Sequence, residues 1–160
     1  MATWSELERQ RPDLSEAAQR LLYQFGVGLA FLSTVRPDGG PRVHPMCPVF
    51  VSGHLLALIV PSPKRGDLLR DGRYAMHSFP AEANEDAVYL TGSASMLTEP
   101  ELVSSLVARY VEERAQFGLT EEAVSNEMPF VFDIVTVMVT VTTGHGDPNP
   151  KHTVWHDVGR

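Results

Sequence analysis

Apolar residues recur at three- and four-residue intervals near the start of the chain, at Leu14, Ala17, Ala18, Leu21, Leu22 and Phe25. That spacing predicts a helix from about Leu14 to Gln24, with Asp13 and Ser15 as candidate caps and Gly26 as its end. The period then changes. Val27 to Val35 is almost continuously apolar and predicts a strand. Pro37-Asp38-Gly39-Gly40 predicts a turn, because proline presets φ at the second position and glycine accepts φ > 0. The return strand runs from Arg42 to Val51 and carries Pro45 and Pro48. A proline cannot donate to a sheet ladder, so these two mark an edge, a bulge or a place where a ligand meets the strand. Ser52-Gly53 predicts a tight hairpin into the apolar strand Leu55 to Val60. A short helix follows, from the basic turn at Ser62–Arg65 to about Asp71-Gly72.

In the second half, strands are predicted at Arg73 to Phe79 and at Ala87 to Leu97, the latter interrupted at Gly92, with an acidic loop between them. Thr98 is the predicted N-cap of a helix with Pro100 in its first turn. Leu102, Val103, Leu106, Val107, Tyr110 and Val111 form its apolar stripe, and it should end near Phe117-Gly118. Thr120 to Asn126 predicts a second short helix capped by Thr120. Phe130 to Thr142 is rich in Val, Ile, Phe and Thr and predicts a long strand. The tail, Thr143 to Arg160, carries glycine and proline and reads as irregular. Residues 1–160 thus form one domain, with an N-terminal helical segment (1–26) and an irregular tail (143–160). The early strands are joined by turns too short for parallel crossovers. The expected class is mainly β (α+β): an antiparallel meander forming a small closed or partly open barrel.

Composition narrows the function. A hydrophobic content of 43% and a charged content of 21% are those of a globular chain. The net charge of -7 argues against a nucleic-acid or anionic-membrane partner. The longest apolar run, Phe25 to Val35, is about half of a membrane span. No signal-peptide pattern is visible at the N-terminus, so the expected location is cytoplasmic. Cys47 is the one cysteine, which excludes an intramolecular disulfide and an all-cysteine metal site.

The candidate chemistry centres on Ser62-Pro63-Lys64-Arg65. A hydroxyl, an ammonium and a guanidinium lie beside the backbone N–H groups of a helix start, an arrangement suited to phosphate. The spacing is not that of a Walker loop. Of the 13 basic residues only Lys64 and Lys151 are lysines, which singles out the one in this turn. The histidines make no metal pattern: His152 and His156 are four apart but are flanked by proline and glycine, and no cysteine pair accompanies them. Gly92-Ser93-Ala94-Ser95 is not a nucleophile elbow, and Gly26-Val27-Gly28 enters a strand rather than a helix. Arg42 to Met46 and Ile59 to Arg65 are expected on neighbouring strands of one hairpin. A cofactor lying across it could set a phosphate at Ser62, Lys64 and Arg65, and a ring near His44 to Met46.

Thr34 to Pro45 resembles the first hairpin of the pyridoxamine 5′-phosphate oxidase-like family, the flavin-binding split barrels. Ser62 to Ala75 is similar to that family's phosphate-binding turn, helix and fourth strand, and Leu90 to Ala94 to its fifth strand. The resemblance extends from about Val27 to Val141. It implies a six-stranded antiparallel split β-barrel with flanking helices, a homodimer, a small-molecule substrate, and FMN at the subunit interface. It assigns Lys64 to the phosphate, with Ser62 as the neighbouring small residue. His44, Pro45 and Met46, together with Val60, are assigned to the flavin ring and ribityl chain. Pro63 replaces the arginine that precedes the lysine in true oxidases, and Arg65 is the residue that could substitute for it. Trp155 and Arg160 are the sole analogues of the oxidases' C-terminal substrate residues, so oxidase activity is not implied. The family also includes proteins that bind a deazaflavin coenzyme and others that bind haem. Those remain the alternative cofactors, with His44 or a tail histidine as the haem ligand.

Overall fold

The structure is a computed structural model, and it describes residues 1–159. Two helices, α1 (Trp4–Gln10) and α2 (Pro12–Leu22), precede β1 (Ala30–Val35), β2 (Pro41–Met46), β3 (Val49–Val51) and β4 (His54–Ile59). Helix α3 (Pro63–Arg70) leads to β5 (Arg73–Ser78) and β6 (Ala87–Met96). Helix α4 (Pro100–Arg114) leads through two single 3₁₀ turns to β7 (Met128–Val141) and β8 (Lys151–His156). The strands form one 8-stranded antiparallel sheet in the order β2-β1-β5-β6-β7-β4-β3, with β8 also on β7. The expected mainly β, α+β class holds, but the strands number 8 rather than six.

The sheet curls until its two ends nearly meet. β2 and β3 stand at opposite ends of the strand order, yet only Cys47 and Pro48 separate them in sequence. The expected single strand from Arg42 to Val51 therefore breaks in two. Pro48 has no N–H to continue a ladder, and the chain crosses from one edge of the sheet to the other at that point. The gap between those edges is the seam of a split barrel.

β4 explains the continuous apolar run from Leu55 to Ile59. Leu55, Ala57 and Ile59 pack into the main core inside the barrel. Leu56 and Leu58 face the other way, into a second core with Leu102, Leu106 and Tyr110 of α4. A strand buried on both faces has no polar alternation to show. Ser52 and Gly53, at φ 49 and 74, form the two-residue hairpin turn whose twist suits paired strands. At Gly92 the β6–β7 register shifts by a bulge, and a Cβ there would lie 1.8 Å from the Asp133 carbonyl oxygen. The interruption is thus a bulge within one strand.

Several boundaries differ from expectation. The N-terminal segment is two helices, because Thr3 caps α1 through Glu6 N–H at 3.3 Å and only Trp4 and Leu7 of α1 are buried, too short a pattern to read. Neither Asp13 nor Ser15 caps α2; Arg11 is its N-cap, and α2 ends at Leu22 rather than Gln24. Helix α4 begins after Glu99, not Thr98, and makes no side-chain cap. The helix expected at Thr120 to Asn126 is one 3₁₀ turn, Glu122–Val124, with the Thr120 hydroxyl accepting from Ala123 N–H. The tail is not irregular throughout: β8 pairs with the end of β7, and Trp155 buries its ring and donates to Gln10 Oε1 at 3.2 Å. Arg160 lies outside the described residues. Among the described residues no helix is long and apolar enough to cross a membrane.

Candidate functional site

The basic turn opens onto the seam. β4 ends at Ile59, Ser62 is the extended N-cap of α3, and Pro63 starts the helix with its missing N–H where none is needed. Among the described residues no side chain caps this helix start, and no acidic residue lies in its own first turn, so the first N–H of the helix is left free to bind an anion. The Ser62 hydroxyl donates to the Val60 carbonyl at 2.9 Å, which leaves its oxygen as an acceptor.

Lys64 reaches across the seam. Its Nζ donates to the Pro45 carbonyl on β2 at 3.0 Å. β2 is an edge strand, paired on one side only, so a carbonyl on its free side needs a donor from elsewhere. The residues expected on adjacent strands of one hairpin are thus brought together differently. β2 and β4 do not pair, and the contact is made by a lysine spanning the gap. Burial holds the ammonium of Lys64 below the ordinary lysine value, with Cys47 and Glu127 opposing the shift. Arg65 donates from Nη1 to the Asn126 carbonyl at 3.2 Å, tying the turn to the approach of β7.

The other expected site residues are distributed around this bridge. Val60, 44% exposed, lies at the end of β4. His44 and Pro45 are exposed on β2, opposite Leu32 and Phe31 of β1. Strand alternation sends their side chains to opposite faces. Met46 is in the main core, so only its backbone borders the seam. His152 and His156 lie along β8, hydrogen-bonded to Thr140 and Thr136 of β7 at 2.9 and 3.0 Å.

Two features escaped the sequence reading. Asp67, one turn along α3 from Lys64, is 2% exposed. It accepts from Thr34 Oγ1 at 2.9 Å, Arg42 Nε at 2.7 Å and Arg70 Nη1 at 3.3 Å. Burial opposes its ionisation, but the hydrogen bonds from Arg42, Thr34 and Arg70 outweigh it and hold the carboxyl below its usual range. This cluster fastens α3 to β1 and β2 and so sets where Lys64 begins. Three charges at three-residue helical spacing, Asp67, Arg70 and Lys64, were the available signal. The second feature is the surroundings of Cys47. An apolar cavity of about 400 Å³ beside it is walled by Val27, Leu29, Tyr110, Arg114, Phe117 and Leu119. The Arg114 guanidinium is buried, 4.0 Å from the centre of the Tyr110 ring, and bonded to the Gly28 carbonyl at 3.3 Å. The chain that forms this wall is remote in sequence from Cys47, and no local pattern announces it.

The donors around the turn fit a phosphate: an ammonium, a guanidinium and an uncapped helix start lie together at the mouth of the seam, with the Ser62 hydroxyl able to join them by turning its proton from the Val60 carbonyl.

No family model matches the chain, and no curated protein matches it in sequence. Solved structures do. A pyridoxamine 5′-phosphate oxidase-related, FMN-binding protein from Nostoc punctiforme superposes with a TM-score of 0.63 at 15% identity, over 91% of this chain and 89% of that one. HutZ, the haem storage protein of Vibrio cholerae, gives 0.59 at 18% identity, over 91% and 93%. A haem-binding protein from Mycobacterium smegmatis gives 0.62 at 17% identity over 86% of this chain, which spans 57% of that protein. An F420 reductase gives 0.54 at 20% identity, over 68% and 87%. At these identities the likeness establishes the fold. The chain is a split β-barrel, the fold shared by pyridoxamine 5′-phosphate oxidase-related FMN-binding proteins, F420 reductase and haem-binding proteins.

Proposed function

We propose that this protein binds FMN at the barrel seam and acts as a flavin-dependent oxidoreductase on a small-molecule substrate. The observation that carries the reading is Lys64, half-buried at the mouth of the seam beside an uncapped helix start, with Arg65 next to it. In this reading Lys64 and Arg65 neutralise the phosphate, the Ser62 hydroxyl, turned from the Val60 carbonyl, and the start of α3 donate to it, and the ribityl chain and ring lie along Val60 and the β2 backbone from His44 to Met46. The bound flavin supplies hydride or electron transfer; the chain's own residues bind it, orient it and exclude water. A deazaflavin coenzyme also carries phosphate and would use the same donors.

The cofactor would sit between two copies of the chain. An exposed aromatic group supports this part of the reading. Phe31 stacks on Phe79 with ring centres 4.3 Å apart, and Phe25 meets Phe79 edge-on. Phe31 is flanked across the sheet by Pro45 and His77, so an apolar surface adjoins the proposed ring position. A cytoplasmic setting is part of the same reading and suits a chain whose one cysteine is free.

A second reading, haem binding without catalysis, rests on the exposed His44 of β2 and on the likeness to haem-binding split barrels. The absorbance spectrum of the purified protein separates the two. Flavin bands, acquired in the cell or on adding FMN, support the first; a Soret band supports the second. A colourless protein that takes up neither overturns both. Bleaching of the flavin bands by a reduced nicotinamide then distinguishes an enzyme from a carrier. Gel filtration with light scattering tests the dimer, which a 17.6 kDa particle would exclude.

A further inference from the structure

Glu127 stands beside the basic turn because of long-range strand pairing. It immediately precedes β7, whose Met128 is in register with Ile59, the last residue of β4. That register sets Glu127 level with Val60, where the chain leaves β4 for Lys64. The bond from Arg65 to the Asn126 carbonyl fastens the preceding residue to α3.

The carboxyl is incompletely partnered. Its Oε2 is buried and makes no hydrogen bond among the described residues. The cations that face it are Lys64 from α3 and Arg114 from α4, with Tyr110 of α4 also against it; Cys47 of the β2–β3 link lies beside Lys64 and Tyr110. Neither cation is committed to it: Lys64 is turned to the Pro45 carbonyl and Arg114 to Glu113. Burial pushes the Glu127 carboxyl above its usual value, against the pull of Lys64 and Arg114.

We propose that Glu127 makes anion binding at the basic turn proton-linked, the neutral carboxyl donating from its unpartnered oxygen to a phosphate oxygen and the ionised carboxylate repelling it. The inference rests on the phosphate reading of the turn. With Glu127 ionised, the turn's three charges sum to one positive; with Glu127 neutral they sum to two, and a donor replaces a repelling acceptor. Binding therefore takes up one proton wherever Glu127 is ionised in the free protein. The group discriminates among ligands as well, since a phosphate dianion gains most from the change.

The test is calorimetric titration of FMN into the wild-type protein and Glu127→Gln between pH 5.5 and 8.5, in two buffers of different ionisation enthalpy. Glutamine keeps the shape and a permanent donor. At pH 8 Glu127→Gln is expected to bind FMN about tenfold more tightly than wild type, with the gap closing toward pH 5.5. Wild type should take up a proton that the variant does not. Any protonation of FMN's own phosphate is common to both proteins and cancels. A gap that is constant with pH, or a variant that binds no better than wild type at pH 8, overturns the proposal. If Glu127→Gln does not fold, the buffer dependence of the wild-type heat at pH 8, where FMN's phosphate is already a dianion, decides alone: no proton uptake there overturns it. Lys64→Ala separates the layers. If FMN binds with the same affinity to wild type and Lys64→Ala, the phosphate reading itself is wrong, whatever Glu127 does.

Discussion

The two ends of α3 carry similar charges and use them differently. At the buried end, Asp67 collects Thr34, Arg42 and Arg70, and its hydrogen-bonding capacity goes into holding the helix on the sheet. At the open end, among the described residues, Lys64 and Arg65 bond only to backbone carbonyls, Pro45 and Asn126, and nearby Glu127 has an oxygen with no hydrogen-bond partner. One end is a finished network; the other has unspent capacity. The lesson is that charge density alone does not locate a site. What locates it is charge whose partners are weak, exposed or missing, next to a cluster that keeps its position fixed.

The comparison predicts that the ends separate by measurement. The largest effect is expected at Asp67. Asp67→Ala leaves two guanidinium groups and a hydroxyl without their acceptor and should lower stability by about 3 kcal/mol, read as a shift in the urea midpoint. Lys64→Ala should leave stability within about 0.5 kcal/mol, since no buried group loses its only partner. Its FMN affinity should fall by about 1.5–3 kcal/mol, the range for hydrogen bonds to charged groups. If Lys64→Ala instead destabilises the fold as much as Asp67→Ala does, the two ends are one structural network.

Acid should also tell them apart. The Asp67 carboxyl is held below its ordinary value, so its contribution is fully present above pH ~4 and is lost as pH falls through the folded value. Asp67→Asn should flatten that part of the stability profile. Glu127 has the opposite sign: its raised value favours the native state at low pH and that benefit disappears as pH rises. Urea midpoints from pH 3 to 7 for Asp67→Asn and Glu127→Gln should therefore diverge from wild type in opposite directions. The smallest effect is expected at Arg65. Its guanidinium bonds to an exposed carbonyl, so Arg65→Ala should reduce FMN affinity by about 0.5–1.5 kcal/mol and leave the fold intact.

Much of the fold could be read locally. Pro37 to Gly40 and Ser52-Gly53 are turns set by their own backbone preferences, and the run from Leu55 to Ile59 could hardly be anything but a buried strand. The basic turn could be read for the same reason: Ser62, Lys64 and Arg65 are adjacent. What could not be read depends on pairing at a distance. β8 exposes most of its residues and becomes a strand because β7 has a free edge there, and only Trp155 hints at it. The break at Pro48 requires knowing that the sheet curls. Arg42 is drawn to Asp67, and Glu127 to Lys64, by sheet closure rather than by spacing.

β7 offers three strands their ladder: β6 along one edge, and β4 and β8 in succession along the other. In chain order this strand follows β1 to β6. Until it appears, β2, β1, β5 and β6 can assemble as a ribbon, while the hairpin of β3 and β4 has no neighbour to join. The seam therefore closes only after β7 is made, and the sites it creates exist only from that point. Amide exchange should carry the same imprint. The N–H groups of β7 that bond to β4, β6 or β8 should exchange only through global opening, while those of β2 should exchange through local fraying.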